Sequence, residues 1–182
     1  MYNRQLHYAA AGGHTAVARA LLRRAAAAGT AGALARARGG PDGWLPIHEA
    51  AAKGYHGVIA VLLSSEANAA TPATRAQGAL AARGGGGDED ELRRLGLARA
   101  ALDSVATVHA RSTQRGDSPL HLAARHGHVN VIEYLLANGA DPEAKDKQGK
   151  TPLGLAQDPP RGFRVDKAKE VIKAFTAHGI LK

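Results

Sequence analysis

Residues 118–128 read SPLHLAARHGH, and the fold of the chain turns on what the histidines in this stretch are for. His121, His126 and His128 fall close together, directly after Asp117 and Ser118. Such a density is compatible with a metal site, with a Ser–His catalytic pair or with plain scaffold. The rest of the chain decides among these readings.

The phrase recurs. PLHLAARHGHVNVIEYLL (119–136) matches PIHEAAAKGYHGVIAVLL (46–63) without a gap at Pro, His, the Ala pair, Gly, Val-Ile and Leu-Leu. QLHYAAAGGHTAVARALL (5–22) matches at Leu, His, the Ala pair, Gly-His, Val and Leu-Leu. TPLGLAQDPP (151–160) restarts the phrase and departs from it, and GALAARGGGG (78–87) keeps little more than LAAR. Anchored on Ala9, Ala50, Ala81, Ala123 and Ala156, the copies stand 41, 31, 42 and 33 residues apart. A period in this range marks a stacked repeat architecture.

Each clear copy reads as two helices. The first is short and Ala-rich, and it opens at Ser/Thr-Pro, where the first-turn N–H is unpaired anyway. Gly13, Gly54 and Gly127 end it. The second carries an apolar stripe: Val131, Ile132, Leu135 and Leu136, repeated as Val58, Ile59, Leu62 and Leu63, and more thinly as Val17, Leu21 and Leu22. NGAD (138–141) stops it, and PEAKDKQGK leads to the next Thr-Pro with Gly149 suited to a tight turn. Neither helix has enough apolar surface to stand alone, so the units must stack into an all-α helical repeat solenoid.

Composition agrees. The chain is 182 residues long and 45% hydrophobic but only 4% aromatic, with one Trp and two Phe. Much of the apolar count is Ala, which buries little area but lets helices approach closely. With no Cys, disulfides, thiolate zinc and cysteine nucleophiles are excluded. The net charge of +8 comes mainly from Arg, much of it in low-complexity runs such as RRAAAAGTAGALARARGG (23–40). No apolar run reaches the roughly 18 residues of a membrane span, and the N-terminus lacks the apolar core of a secretory signal. A soluble monomer is expected, cytoplasmic by default and compatible with the nucleus.

These residues resemble the ankyrin repeat, whose signature is a Thr-Pro-Leu-His-x-Ala phrase recurring at about 33 residues. The resemblance implies antiparallel helix pairs with hairpin-like loops projecting at right angles, and a concave side used for binding proteins. It divides the chain into a single domain (1–182) of units at 3–42 (N-terminal cap with a long insert), 43–75, 76–115 (degenerate), 116–148 and 149–182 (C-terminal cap). Departures include Arg4-Gln5 in place of Thr-Pro, Tyr55 in place of His, and Gly154 in place of His. LARAALDSVATVHARS (97–112), spaced with Leu95 as Leu95, Ala98, Leu102, Val105 and His109, predicts a helix longer than the family norm.

The histidines can now be assigned. His7, His48 and His121 share one phase of the repeat, and His14 and His128 share another. A catalytic residue has no reason to recur this way, whereas a scaffold residue does. The resemblance implies that the first-helix His bonds within and between neighbouring loops, and that the Gly-His turn residue links helices. Ser118 aligns with Thr151 and starts a helix instead of acting as a nucleophile. Without Cys, and with His distributed along the array, no metal or cofactor is expected. GGGG (84–87) lacks the Gly-Lys-Ser/Thr ending of a phosphate loop. DEDE (88–91) suits the start of a solvated helix.

The expected function is a non-catalytic protein-interaction module. On the concave face the alignment places Tyr8, Glu49, Lys53, Leu122, Arg125, His126 and Leu155, a mixture suited to binding another protein. Trp44 aligns with Lys150 at the loop tip. It is expected either to project as an interface anchor or to fold against the insert at 23–42 or cover the Leu45-Pro46 turn. Two other functions are compatible with the residues: salt-dependent nucleic-acid binding through the Arg-rich inserts, which lack interleaved aromatics, and service as the targeting part of a larger signalling protein or enzyme.

Overall fold

The computed structural model of the chain describes residues 3–39, 42–63, 108–157 and 165–178. Among these residues it forms helices α1 (Asn3–Ala11), α2 (Thr15–Ala27), α3 (Ala31–Ala35), α4 (Pro46–Lys53), α5 (His56–Leu63), α6 (Pro119–His126), α7 (Val129–Ala137), α8 (Pro152–Gln157) and α9 (Val165–Ala177). The local chemistry sets the boundaries. Pro46 and Pro119 occupy the first turns of α4 and α6, where a missing N–H costs nothing. Gly54 and Gly127 close the same helices in the left-handed conformation, at φ 80° and 72°, which a side chain would resist.

The helices form two layers. First helices lie side by side in the order α1, α4, α6, α8; second helices pair behind them in the order α2, α5, α7, α9. Alanines permit the front layer: Ala9, Ala10, Ala50, Ala51, Ala123 and Ala124 are all buried where these helices meet. Larger side chains fill the space between layers, with Leu6, Ile47 and Leu120 in front and Val58, Ile59, Val131, Ile132 and Leu135 behind. Each such side chain contributes about 1.5–3 kcal/mol on burial. In α9, Val171 and Phe175 face inward while Lys167, Lys169 and Lys173 are exposed.

Two expectations about the irregular regions meet different outcomes. The insert at 23–42 is partly helical: α2 runs through its first residues, Gly29 turns the chain, and α3 packs back on α2. α4 packs directly on α6, with Ala50, Ala51, Ala123 and Ala124 buried. The unit expected at 76–115 lies, up to residue 107, outside the described residues. The GGGGDEDE turn and most of the predicted long helix lie outside the described residues. Val108 is buried and Ala110 begins the loop leading into α6.

A hairpin-like loop precedes each of α4, α6 and α8. Gly39 and Trp44 exchange two backbone hydrogen bonds, at 2.8 and 3.0 Å. Ser112 donates to Asp117 and Asp146 to Lys150, each at 2.9 Å. In all three loops a glycine with positive φ, Gly43, Gly116 or Gly149, turns the chain just before the returning arm.

Candidate partner-binding face

Three rows of contacts tie the units together and determine which side chains remain outside. In the first row, each first-helix imidazole reaches the loop that leads into the next first helix. His7 Nε2 donates to the Ala37 carbonyl at 2.8 Å. His48 Nε2 bridges the carbonyls of Ala110 and Asp117, both at 3.2 Å, while its Nδ1 accepts the Leu45 N–H. His121 Nε2 donates to the Lys150 carbonyl at 3.0 Å, and its Nδ1 accepts from Ser118. A ring that donates at one nitrogen and accepts at the other is neutral. Burial pushes the His48 imidazole down from 6.5 to about 4, and burial lowers His121 in the same direction.

The second row lies at the inter-helix turns. The Tyr55 ring covers Gly13, where an added Cβ would sit 2.8 Å from the ring. The His128 ring covers Gly54 in the same way, at 2.5 Å, and its Nε2 donates to the Ala52 carbonyl at 3.1 Å. Burial lowers the His128 pKa despite that bond. His14, at the same phase in the first unit, is exposed.

The third row runs through the loops. Arg38 Nη1 donates to the carbonyls of Gly43 and Arg111, at 2.9 and 3.0 Å. Arg111 Nη1 donates in turn to the carbonyls of Gly116, at 3.3 Å, and Lys145. Thr113 donates its N–H and hydroxyl to the Asp42 carbonyl. Lys147 donates its N–H to Arg115 and its ammonium to Thr113. Each loop thus hangs on the next through backbone carbonyls that side chains of its neighbour satisfy.

Against this frame the expected partner-binding residues separate. Tyr8 is 69% exposed, and Lys53 and His126 are exposed as well. Glu49 is half-buried, and burial raises its carboxyl pKa while His7 and Lys53 pull the other way. His126 stacks on His128 with ring centroids 6.2 Å apart; burial lowers its pKa, and the neighbouring His128 and Arg125 add to that. These four residues lie on α1, α4 and α6 and form the accessible side of the front layer.

The remaining expectations are corrected. Leu122 and Leu155 are 1% and 6% exposed and belong to the core, as apolar side chains withdrawn from water. Arg125 is committed to Asp117 through two bonds, at 2.9 and 3.0 Å. Lys150 and Trp44 stand at the base of their loops, on the arm that returns to the helix, rather than at the tip. Trp44 is half-buried against the core and bridged to Gly39. Missed altogether was the buried Asp117, whose N–H donates to the Ser112 hydroxyl and whose carboxylate holds Arg125. The Arg38 and Arg111 bonds were missed too, although Ala-Arg at 37–38 and 110–111 stands at the same spacing before Gly43 and Gly116, and Ala-Lys at 144–145 stands one residue nearer to Gly149.

Among the described residues no group of three or more His, Cys, Asp or Glu could hold a metal ion. No helix there is long and apolar enough to cross a membrane.

The family model of the ankyrin repeat matches residues 115–147. The transient receptor potential cation channel subfamily A member 1 homolog of Caenorhabditis elegans is 34% identical over 113 residues, covering 62% of this chain and 9% of that protein. Ankyrin repeat and SOCS box protein 11 of Danio rerio is 32% identical over 124 residues, covering 62% of this chain and 36% of that protein. The chain therefore spans only a minor part of these relatives. A chain in the crystal structure of the yeast ribosomal protein Rps3 in complex with its chaperone Yar1 shares the fold. It covers 99% of this chain and 94% of its own length, with a TM-score of 0.62 and 17% identity.

Proposed function

Because this chain is an ankyrin-repeat protein, a family that generally mediates protein–protein interaction, we propose that it binds another protein, without catalysis, through the accessible side of its first helices. Tyr8, Glu49, Lys53 and His126 form the contact surface. The observation that carries this reading is the exposure of Tyr8. A large aromatic ring stands in water on a helix whose opposite side is wholly buried, and such rings are enriched among interface anchors. The three rows of inter-unit contacts hold the surface in place before any partner arrives, which reduces the ordering cost of association.

The test is affinity capture with the full chain, followed by calorimetry with the captured partner and a Tyr8→Ala, Lys53→Ala double variant. The expected result is binding weakened by about tenfold or more, with unchanged helicity and melting. Equal binding by the variant would remove this surface from the interface. The relatives, of which the chain covers 9% and 36%, favour a second reading in which such an array is the targeting part of a larger protein.

A further inference from the structure

The loops preceding α4, α6 and α8 stack into an edge whose charges are unevenly disposed. Arg38, Arg111, Arg115, Lys145 and Lys147 are all exposed on it. Of the loop carboxylates, Asp117 is buried against Arg125, and Asp146 is buried with Oδ1 accepting the N–H groups of Gln148 and Lys150. Asp42 is half-buried. The exposed Asp141 and Glu143 precede the third loop instead of belonging to it. Cations therefore face outward while the loop acids are largely turned to internal use.

The two arginines are also held in position. Each uses only Nη1, among the described residues, to clasp two carbonyls of the loops. Nη2 and Nε of each guanidinium make no hydrogen bond among those residues, and this edge of the fork is the one that receives a carboxylate in a bidentate pair. Fixed guanidiniums lose little rotamer freedom on binding.

From this disposition we propose that the stacked loop edge is a docking site for an acidic polypeptide segment, whose carboxylates pair with the outward forks of Arg38 and Arg111. The proposal rests on the protein-binding reading above and names the chemistry of the partner. Neighbouring helices in such a stack lie about 8–10 Å apart, which an extended chain covers in about three residues. The segment recognised is therefore extended in the polyproline II form, whose three-residue turn returns every third side chain to one face. Asp or Glu stands at those positions, and Arg115, Lys145 and Lys147 flank its path. An oligonucleotide is the lesser fit. The edge has no exposed aromatic ring for base stacking among the described residues, since Trp44 is half-buried against the core.

The experiment is fluorescence anisotropy of the full chain with a labelled peptide of repeated Glu-Ser-Ser triplets, about 15 residues long, at about 0.15 M salt. Arg38→Lys with Arg111→Lys keeps the charge and removes the fork; binding is expected to weaken about tenfold. Because those arginines also hold the loops, a second pair is needed. Arg115→Gln with Lys145→Gln is expected to weaken binding about threefold to fivefold. Lys169→Gln with Lys173→Gln, which removes equal charge from α9, is expected to leave it unchanged. Equal weakening by the α9 pair would reduce the effect to bulk charge and overturn the proposal. So would tighter binding of an oligothymidylate of matched charge. If the partner captured by the front face binds the Arg115, Lys145 variant as well as the original, the loop edge is excluded while the binding module stands.

Discussion

Arg125 closes on Asp117 through both terminal guanidinium nitrogens, Nη1 to Oδ2 at 3.0 Å and Nη2 to Oδ1 at 2.9 Å. The pair joins the last turn of α6 to the residue just before its N-cap Ser118, and the carboxylate is almost wholly removed from water, at 1% exposure against 15% for the arginine. Arg125→Ala would leave that charge buried and unpaired, at a cost of about 3 kcal/mol. Arg125→Lys, with a single ammonium, recovers only part of it. Urea unfolding measures both. An Arg125→Ala protein as stable as the original would show that the pair does not hold the loop on the helix.

Acid should loosen the array through His48. Its folded pKa of about 4 lies below the ordinary 6.5, so the unfolded chain takes up this proton first. The contribution is whole above about pH 6.5 and is lost as the pH falls toward about 4, by about 3 kcal/mol across that window. The lowered His121 and His128 act in the same direction. Stability measured between pH 7.5 and pH 4 should fall steeply in the original protein and more gently in His48→Gln. Parallel curves for the two proteins would refute the assignment.

Gly54 and His128 should be coupled. Gly54→Ala forces a side chain onto φ 80° and into the His128 ring. The expected loss is about 2–3 kcal/mol, of which the backbone strain is about 1–2 kcal/mol. Combining it with His128→Ala removes the collision but not the strain, so a double-mutant cycle should show a non-zero interaction energy. Additive losses would mean that the ring does not rest on the glycine.

Trp44 is the single tryptophan of the chain and a natural reporter on the first loop. Half-buried against the core and bridged to Gly39, it should emit at shorter wavelength in the folded protein than in urea. Trp44→Ala should destabilise by about 2 kcal/mol, less than a fully buried aromatic would. By contrast Tyr8→Ala, on the exposed face, should alter stability by less than about 0.5 kcal/mol.

The parts of this architecture written in short-range periodicity could be read directly. Pro at helix starts, Gly at helix ends and Val-Ile…Leu-Leu in the second helices depend on neighbours a few residues away, so the sequence states them openly. The phase of His7, His48 and His121 was equally plain, because three copies align without a gap. Leu122 and Leu155 show where such reasoning stops. They share the phase of Tyr8 and Glu49, yet the leucines are covered and the tyrosine is not. Asp117 with Arg125 and Arg38 with Arg111 join residues whose approach depends on loop shape, which spacing alone does not encode. The same holds for the packing of α4 on α6, which joins residues far apart in the chain.

The imidazole row has a polarity. The donor always belongs to a first helix and the acceptor to the chain leading into the next one: His7 to Ala37, His48 to Ala110 and Asp117, His121 to Lys150. Cutting the array between two units therefore orphans different groups on the two pieces. In this row the upstream piece keeps an imidazole N–H that has lost its acceptor and the downstream piece a carbonyl that water can reach. Among the described residues, only a cut between α5 and α6 also frees a downstream imidazole, that of His128 from the Ala52 carbonyl. Shortening this protein from its first unit should be gentler than shortening it from its last, and Gly154, with no imidazole to orphan, marks the step at which that asymmetry ends.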